Sequence, residues 1–137
     1  MLLNVFKRHR VPFEQCLTGI DTISIVIRSD LLAAKKDDIL RDITRELDPD
    51  TLTVTDHLSM ITVVGEDSPD SADVSARLIG AVQAAGIRIS TINQGAGRLN
   101  LIIGVKEVDY TRAIIALHSA IRKEKSSVTK MEGGYIP

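Results

Sequence analysis

Aromatic side chains are almost missing from this chain: two Phe, two Tyr and no Trp make up 3% of 137 residues. Proteins that hold single strands stack bases on aromatic faces, and that platform is absent. Excess charge of one sign is missing too, since 17 Lys+Arg against 18 Asp+Glu leave a formal net charge of −1. No chain-wide basic footprint exists, so no nucleic-acid partner is expected. Cys16 is the lone cysteine, which rules out an internal disulfide and suits a reducing, cytoplasmic setting. No apolar run approaches the ~20 residues of a membrane span, and Lys7 cuts short the apolar start, so neither a membrane nor a signal peptide is expected. His9, His57 and His118 lie far apart without metal-ligand spacing, so neither metal nor cofactor is expected. Gly95-Ala96-Gly97 joins two expected strands and opens no helix, which sets it apart from a phosphate loop.

What is present is apolar periodicity in a chain that is 44% hydrophobic. Residues 2–9 read as a short helix, with Lys7-Arg8-His9-Arg10 at the end where a helix dipole favours cations. Residues 11–17 and 22–28 read as strands around a turn at 18–21, with Ile23, Ile25 and Ile27 on one face. A helix follows over 37–47 on Ile39, Leu40, Ile43 and Leu47, then Pro49, a short strand at Leu52 and Val54, and a strand over 58–64. The order then returns. A helix covers 73–85 with Gly86 as its C-cap, strands cover 87–93 and 98–105, and a helix covers 109–122. That last helix has Ile114, Ile115, Leu117, His118 and Ile121 in or beside its stripe, with His118 as a packing residue.

Sliding the chain by 76 positions, Val11 onto Ile87, aligns the halves without a gap. Leu2 falls on Leu78, Phe6 on Val82, Gly19 on Gly95, and Ile25 on Leu101. The chain is therefore read as a tandem repeat of one α/β unit. The strand at 58–64 has no counterpart after residue 1, so the first copy is expected to lack its opening strand and the chain to belong to a longer protein. A strand-helix-strand-strand-helix-strand unit is the ferredoxin-like α+β fold, βαββαβ. The expected division is a first module at 1–56, a second at 57–125, and a tail at 126–137 with room for a short strand. With helices on one sheet face only, the other face and the edges are free for pairing, which predicts a homodimer or higher assembly.

Met60-Ile61-Thr62-Val63-Val64-Gly65, Val74-Ser75-Ala76-Arg77-Leu78 and Ala84-Ala85-Gly86-Ile87-Arg88-Ile89 resemble an ACT domain. Val11-Pro12-Phe13-Glu14 with Leu17-Thr18-Gly19-Ile20-Asp21-Thr22-Ile23-Ser24-Ile25 resembles the first regulatory ACT domain of aspartokinases. The resemblance implies a regulatory fragment without catalytic residues. Aspartokinases phosphorylate aspartate with ATP at the start of lysine, threonine and methionine synthesis, and their tandem ACT domains bind end-product amino acids. The implied partners are the parent's kinase catalytic domain and an amino-acid effector, lysine or threonine. It implies effector contacts at Glu14 and Thr18 in the first copy, and at Asn93 and Gln94 in the second. An amide such as Gln94 can face both an ammonium and a carboxylate. Asp73 stands where the family commonly has glycine, in the acidic stretch 66–73 that would repel a carboxylate. That stretch favours the alternative, a ligand-free ACT-type oligomerisation module of another protein of amino-acid metabolism. A free-standing enzyme is disfavoured, because no His, Cys and acid set converges in the sequence.

Overall fold

The computed structural model describes residues 1–65, 71–95 and 99–127. The chain divides into two compact units, Met1–Asp56 and His57–Pro137. Glu66, Asp67 and Asp70 of the acidic stretch, turn residues 96–98 and tail residues 128–137 lie outside the described residues.

The first unit runs α1 (Leu2–His9), β1 (Gln15–Thr18), β2 (Ile23–Val26), α2 (Ser29–Leu32) and α3 (Lys36–Leu47). Its core forms where the apolar stripes of two helices meet: Val5 and Phe6 of α1, Ile39 and Ile43 of α3, with Val11. Leu2, Ile25, Ile27, Leu32 and Leu47 pack around them. β1 and β2 form an antiparallel hairpin that pairs Gln15 with Val26 and Thr18 with Ile23. Its tip is tight, because the Gly19 amide donates to the Thr22 carbonyl at 2.7 Å. A Cβ on Gly19 would stand 2.7 Å from Thr22 Oγ1, so a larger residue there requires the Thr22 side chain to turn away. The expected strand at Leu52 and Val54 does not form, and both side chains are exposed. α2 is an element that the periodicity did not announce. It follows Arg28, whose guanidinium grips Asp30 in the first turn at 2.6 and 3.1 Å.

The second unit runs β3 (Leu58–Val64), α4 (Ser71–Ala84), β4 (Ile89–Gln94), β5 (Asn100–Lys106), a 3-10 turn (Glu107–Asp109) and α5 (Tyr110–Ser127). Its sheet has the order β3-β5-β4, antiparallel throughout. Ile61, Val63, Leu101, Ile103 and Val105 face the helices and meet Val74, Leu78 and Val82 of α4 with Ala113 and Leu117 of α5. Cross-strand partners share a face, so Thr62, Ile102 and Asn93 form a row on the side away from the helices. On α5 the sequence expectation needs correction: Ile115 and His118 are exposed, while Ala113 and Leu117 carry the buried stripe.

The repeat is real but has a gap. Up to the turn glycine the spacing is 76. Arg10 and Gly86 both take left-handed backbone after a helix, with φ of 54° and 74°. The next residue donates back in each copy, Val11 to the Phe6 carbonyl and Ile87 to the Val82 carbonyl. A cation also reaches each end, Lys35 Nζ from just before α3 to His9 O at 2.6 Å and Arg112 of α5 to Ala85 O at 2.5 Å. After the turn the spacing is 78. Gly19 bonds to Thr22, but Gly95 bonds to Asn100, so the second turn is two residues longer. Ile25 therefore matches Ile103, not Leu101, and Ile39 matches Leu117. Two residues are one full strand period, so the gapless alignment kept every apolar phase while misplacing the partners.

Candidate functional site

The four candidate residues fall into two pairs, one per unit. Thr18 and Gln94 are equivalent, each ending the first strand of a hairpin beside the turn glycine. Gln94 pairs with Leu101 and so lies on the helix-facing side of the sheet, yet at its uncovered edge and exposed. Thr18 pairs with Ile23 in the same relation and is also exposed. Asn93 pairs with Ile102 and is half-buried on the opposite face. Adjacent strand residues point to opposite faces, so Asn93 and Gln94 cannot both grip a ligand lying on one face.

Glu14 sits at a backbone irregularity shared by both copies. In the second unit the register slips between Ile89 and Thr91, leaving Ser90 as the extra residue of a bulge. In the first, Glu14 occupies that place, and its amide donates at 2.8 Å to the Val26 carbonyl, although Val26 pairs with Gln15. Bulges re-aim side chains and recur beside functional sites. The amino-acid sequence carries a signal of this bulge. Apolar residues step 11, 13, 16 and 87, 89, 92, and each three-residue step marks the slip. A Cβ on Gly104, opposite the second bulge, would stand 2.5 Å from Thr91 Cγ2 and 3.1 Å from Met60 Sδ, so a larger residue there requires Thr91 to shift.

Around Glu14 the field is mixed. The hydrogen bond to Asp30, reinforced by the charges of Asp30 and, more weakly, Glu14, holds the Arg28 guanidinium pKa up. Asp30 is held below the usual carboxylate range, chiefly by that same hydrogen bond. The basic stretch at residues 7–10 meets acids on α3, which adds a partner to the helix-dipole explanation. Arg8 pairs with Glu46, His9 Nε2 lies 2.7 Å from Asp42 Oδ2, and Arg45 reaches Asp42 at 3.0 Å. Asp42 is held below its ordinary pKa first by the His9 hydrogen bond, and Glu46 by that from Arg8. His57 Nδ1 lies 3.3 Å from Glu107. Among the described residues no group of three or more His, Cys, Asp or Glu converges in a way that could hold a metal ion. No helix among them is long and apolar enough to cross a membrane. Cys16 is half-buried opposite Ile25, in a packing position. Asp73 lies in the first turn of α4, where the dipole favours an acid.

The sheet order, the two helices on one face and the hairpin geometry coincide with a family profile, described as ACT domain, that matches residues 61–121. The second unit is an ACT domain. Aspartokinase 3 of Bacillus subtilis (strain 168) is 32% identical over 117 residues, which are 85% of this chain and 26% of that protein. The solved aspartate kinase of Clostridium acetobutylicum superposes with a TM-score of 0.80 at 26% identity, covering 89% of this chain and 28% of that one. The ligand-free regulatory subunit of aspartate kinase from Thermus thermophilus superposes with a TM-score of 0.73 at 15% identity, over 87% of this chain and 78% of that one. At that identity the last likeness is one of fold. The chain resembles the tandem-ACT regulatory region of aspartokinases and spans about a quarter of the length of the first two proteins. Among the described residues the ACT unit presents Gln94 on an edge strand, the first unit presents Thr18 in the matching position, and Glu14 stands at the bulge where the second unit has Ser90.

Proposed function

We propose that this chain is the regulatory fragment of a cytoplasmic aspartate kinase, sensing an end-product amino acid, lysine or threonine, and contributing to dimerisation. Catalysis would reside in the rest of the parent protein, which phosphorylates L-aspartate with ATP. The observation that carries the reading is the match to Bacillus subtilis aspartokinase 3 across 85% of the chain. The site proposed for the effector is the first strand of each hairpin, with Thr18 and Gln94 at its turn end and Glu14 at the opposite end, beside the bulge. Glu14 offers a carboxylate to the effector's ammonium, Thr18 and Gln94 offer a hydroxyl and an amide, and Asn93 stands on the opposite face.

The test is calorimetry and feedback inhibition on the full-length parent, with lysine, threonine and methionine in turn. Glu14→Ala removes a charged hydrogen-bond partner worth about 1.5–3 kcal/mol, or roughly 10- to 100-fold in effector affinity. Gln94→Ala should cost about fivefold or more, while uninhibited turnover stays within twofold. If both variants respond to the same effector concentration as the unmodified enzyme, the site assignment fails. The second reading, a ligand-free oligomerisation module, is favoured by the uncovered sheet face carrying Met60, Thr62 and Ile102. It predicts no heat of binding for any of the three amino acids.

A further inference from the structure

Arg28 is held in a way that leaves one edge of its guanidinium open. Nε donates to Asp30 Oδ1 at 3.1 Å, and Nη2 donates to Asp30 Oδ2 at 2.6 Å. Of the five N–H donors in the group, both on Nη1 and one on Nη2 remain. They form the second edge of a planar fork, which matches a carboxylate bidentately. Asp30 fixes the plane of that fork, and the Arg28 side chain is 59% exposed. Among the described residues no other side chain bonds to this edge.

Two acceptors stand beside it. Glu14 sits at the bulge, where its amide donates to the Val26 carbonyl at 2.8 Å, and Arg28 lies two residues beyond Val26. The Glu14 charge acts on Arg28 through space, with no hydrogen bond between the two. Gln15 pairs with Val26, and its side-chain carbonyl Oε1 is buried without a hydrogen-bond partner. Such an acceptor costs free energy until a donor reaches it. An open cationic fork and an unbonded carboxylate thus lie side by side at one end of the hairpin. The second unit supplies a contrast. At the equivalent places it has Lys106 for Arg28, Ser90 for Glu14 and Thr91 for Gln15. A cation remains there, but without the fork and without an acid beside it.

We propose that Arg28 is the carboxylate-binding residue of the first unit, so that the bulge end of its hairpin grips both main-chain charges of a free α-amino acid. The inference rests on the sensing role proposed above and adds the residue that reads the carboxylate. The ligand's carboxylate takes the open edge of Arg28, and its ammonium donates to Glu14. A turn of the Gln15 amide brings Oε1 onto the same ammonium, which has three N–H groups to give. Asp30 acts as a positioning residue that holds the fork in place. An amine without a carboxylate lacks one of the two charges and is bound weakly.

The test is calorimetry on the full-length parent with lysine, threonine and methionine, each compared with its α-carboxamide. The carboxamide keeps the ammonium and the side chain and loses the carboxylate charge. Titration at about pH 6, below the α-amino range, keeps both compounds in the ammonium form. Whichever amino acid binds should do so roughly 10- to 100-fold more tightly than its amide. Arg28→Gln should weaken the amino acid by that factor, leave the amide unchanged, and bring the two within about threefold. Arg28→Lys keeps a charge without the fork, so it should lower the same preference by a smaller factor, and it carries the test if Arg28→Gln fails to fold. Glu14→Gln should weaken both compounds alike, because they share the ammonium. A preference for the amino acid that survives unchanged in the Arg28 variants overturns the proposal and leaves the sensing role standing. Absence of binding by all three amino acids in the unmodified parent overturns the sensing role, and this proposal with it.

Discussion

Leu117→Ala and Ile115→Ala separate the two alignments of the repeat in one experiment. At a constant spacing of 76, Ile39 matches Ile115, and this would be the core position of α5. At the observed spacing of 78 it matches Leu117. Leu117 is 0% exposed and shares one core with Leu78, Leu101 and Ile103, whereas Ile115 is 60% exposed. Truncating a fully buried leucine removes transfer energy and leaves a cavity, about 2–5 kcal/mol. For a unit of this size each kcal/mol moves Tm by roughly 4–8 °C, so about 3 kcal/mol means a loss of roughly 12–24 °C. Ile115→Ala strips exposed surface and replaces a β-branched residue by the best helix former, so the change stays within about 0.5 kcal/mol. Urea titration followed by NMR peaks of the second unit measures both without interference from the first. An Ile115→Ala cost equal to that of Leu117→Ala, or a Leu117→Ala cost below about 1 kcal/mol, would refute the two-residue shift.

Arg10→Gly should stabilise the first unit by about 0.5–1 kcal/mol in urea, because its left-handed backbone strains a side chain where the other copy uses glycine. Gly86→Ala should cost the second unit about 1–2 kcal/mol for the converse reason. Asp42 and Glu46 have lowered pKa values in the fold, so their contribution is present above the ordinary carboxylate pKa and is lost as pH falls through the lowered value. Thermal melts between pH 5 and 3 should therefore fall more steeply for the first unit, and Asp42→Asn with Glu46→Gln should flatten that fall. In the parent enzyme, effector response should be weakened by Gln94→Ala and kept by Asn93→Ala, since the two side chains lie on opposite faces; the reverse pattern would place the effector on the uncovered face.

Much of the fold was legible because burial here follows simple periods. α1 and β3 have the boundaries expected from the sequence, and α3 begins one residue earlier than expected. The failures share one physical cause, which is that periodicity records phase and not position. A slip of two residues leaves a strand's phase untouched, so phase alone cannot tell the Gly19–Thr22 spacing from the Gly95–Asn100 spacing. On α5 Ile115 and His118 fit a broad apolar stripe, and only the tertiary core selects Ala113 and Leu117. The Thr51-Leu52-Thr53-Val54-Thr55 pattern is good strand chemistry without a neighbour, and a strand is defined by pairing.

The candidate site was legible as a place and not as a constellation. The turn glycines located the equivalent ends of β1 and β4, and the structure keeps Thr18 and Gln94 equivalent. The bulge shows in the sequence only as a three-residue step in the apolar alternation, and it sets Glu14 and Ser90 outside the regular ladder. At that shared backbone feature one copy carries a carboxylate and the other a hydroxyl. An amino-acid effector is itself asymmetric, with an ammonium that a carboxylate attracts and a carboxylate that it repels. Two copies so differentiated therefore present unlike surfaces to the same ligand, and Glu14→Ser, which makes the first copy resemble the second, should erase that difference. Calorimetry on the parent should then show weaker effector binding by the tenfold or more that loss of one charged hydrogen bond implies. Unchanged affinity in that variant would remove Glu14 from the site.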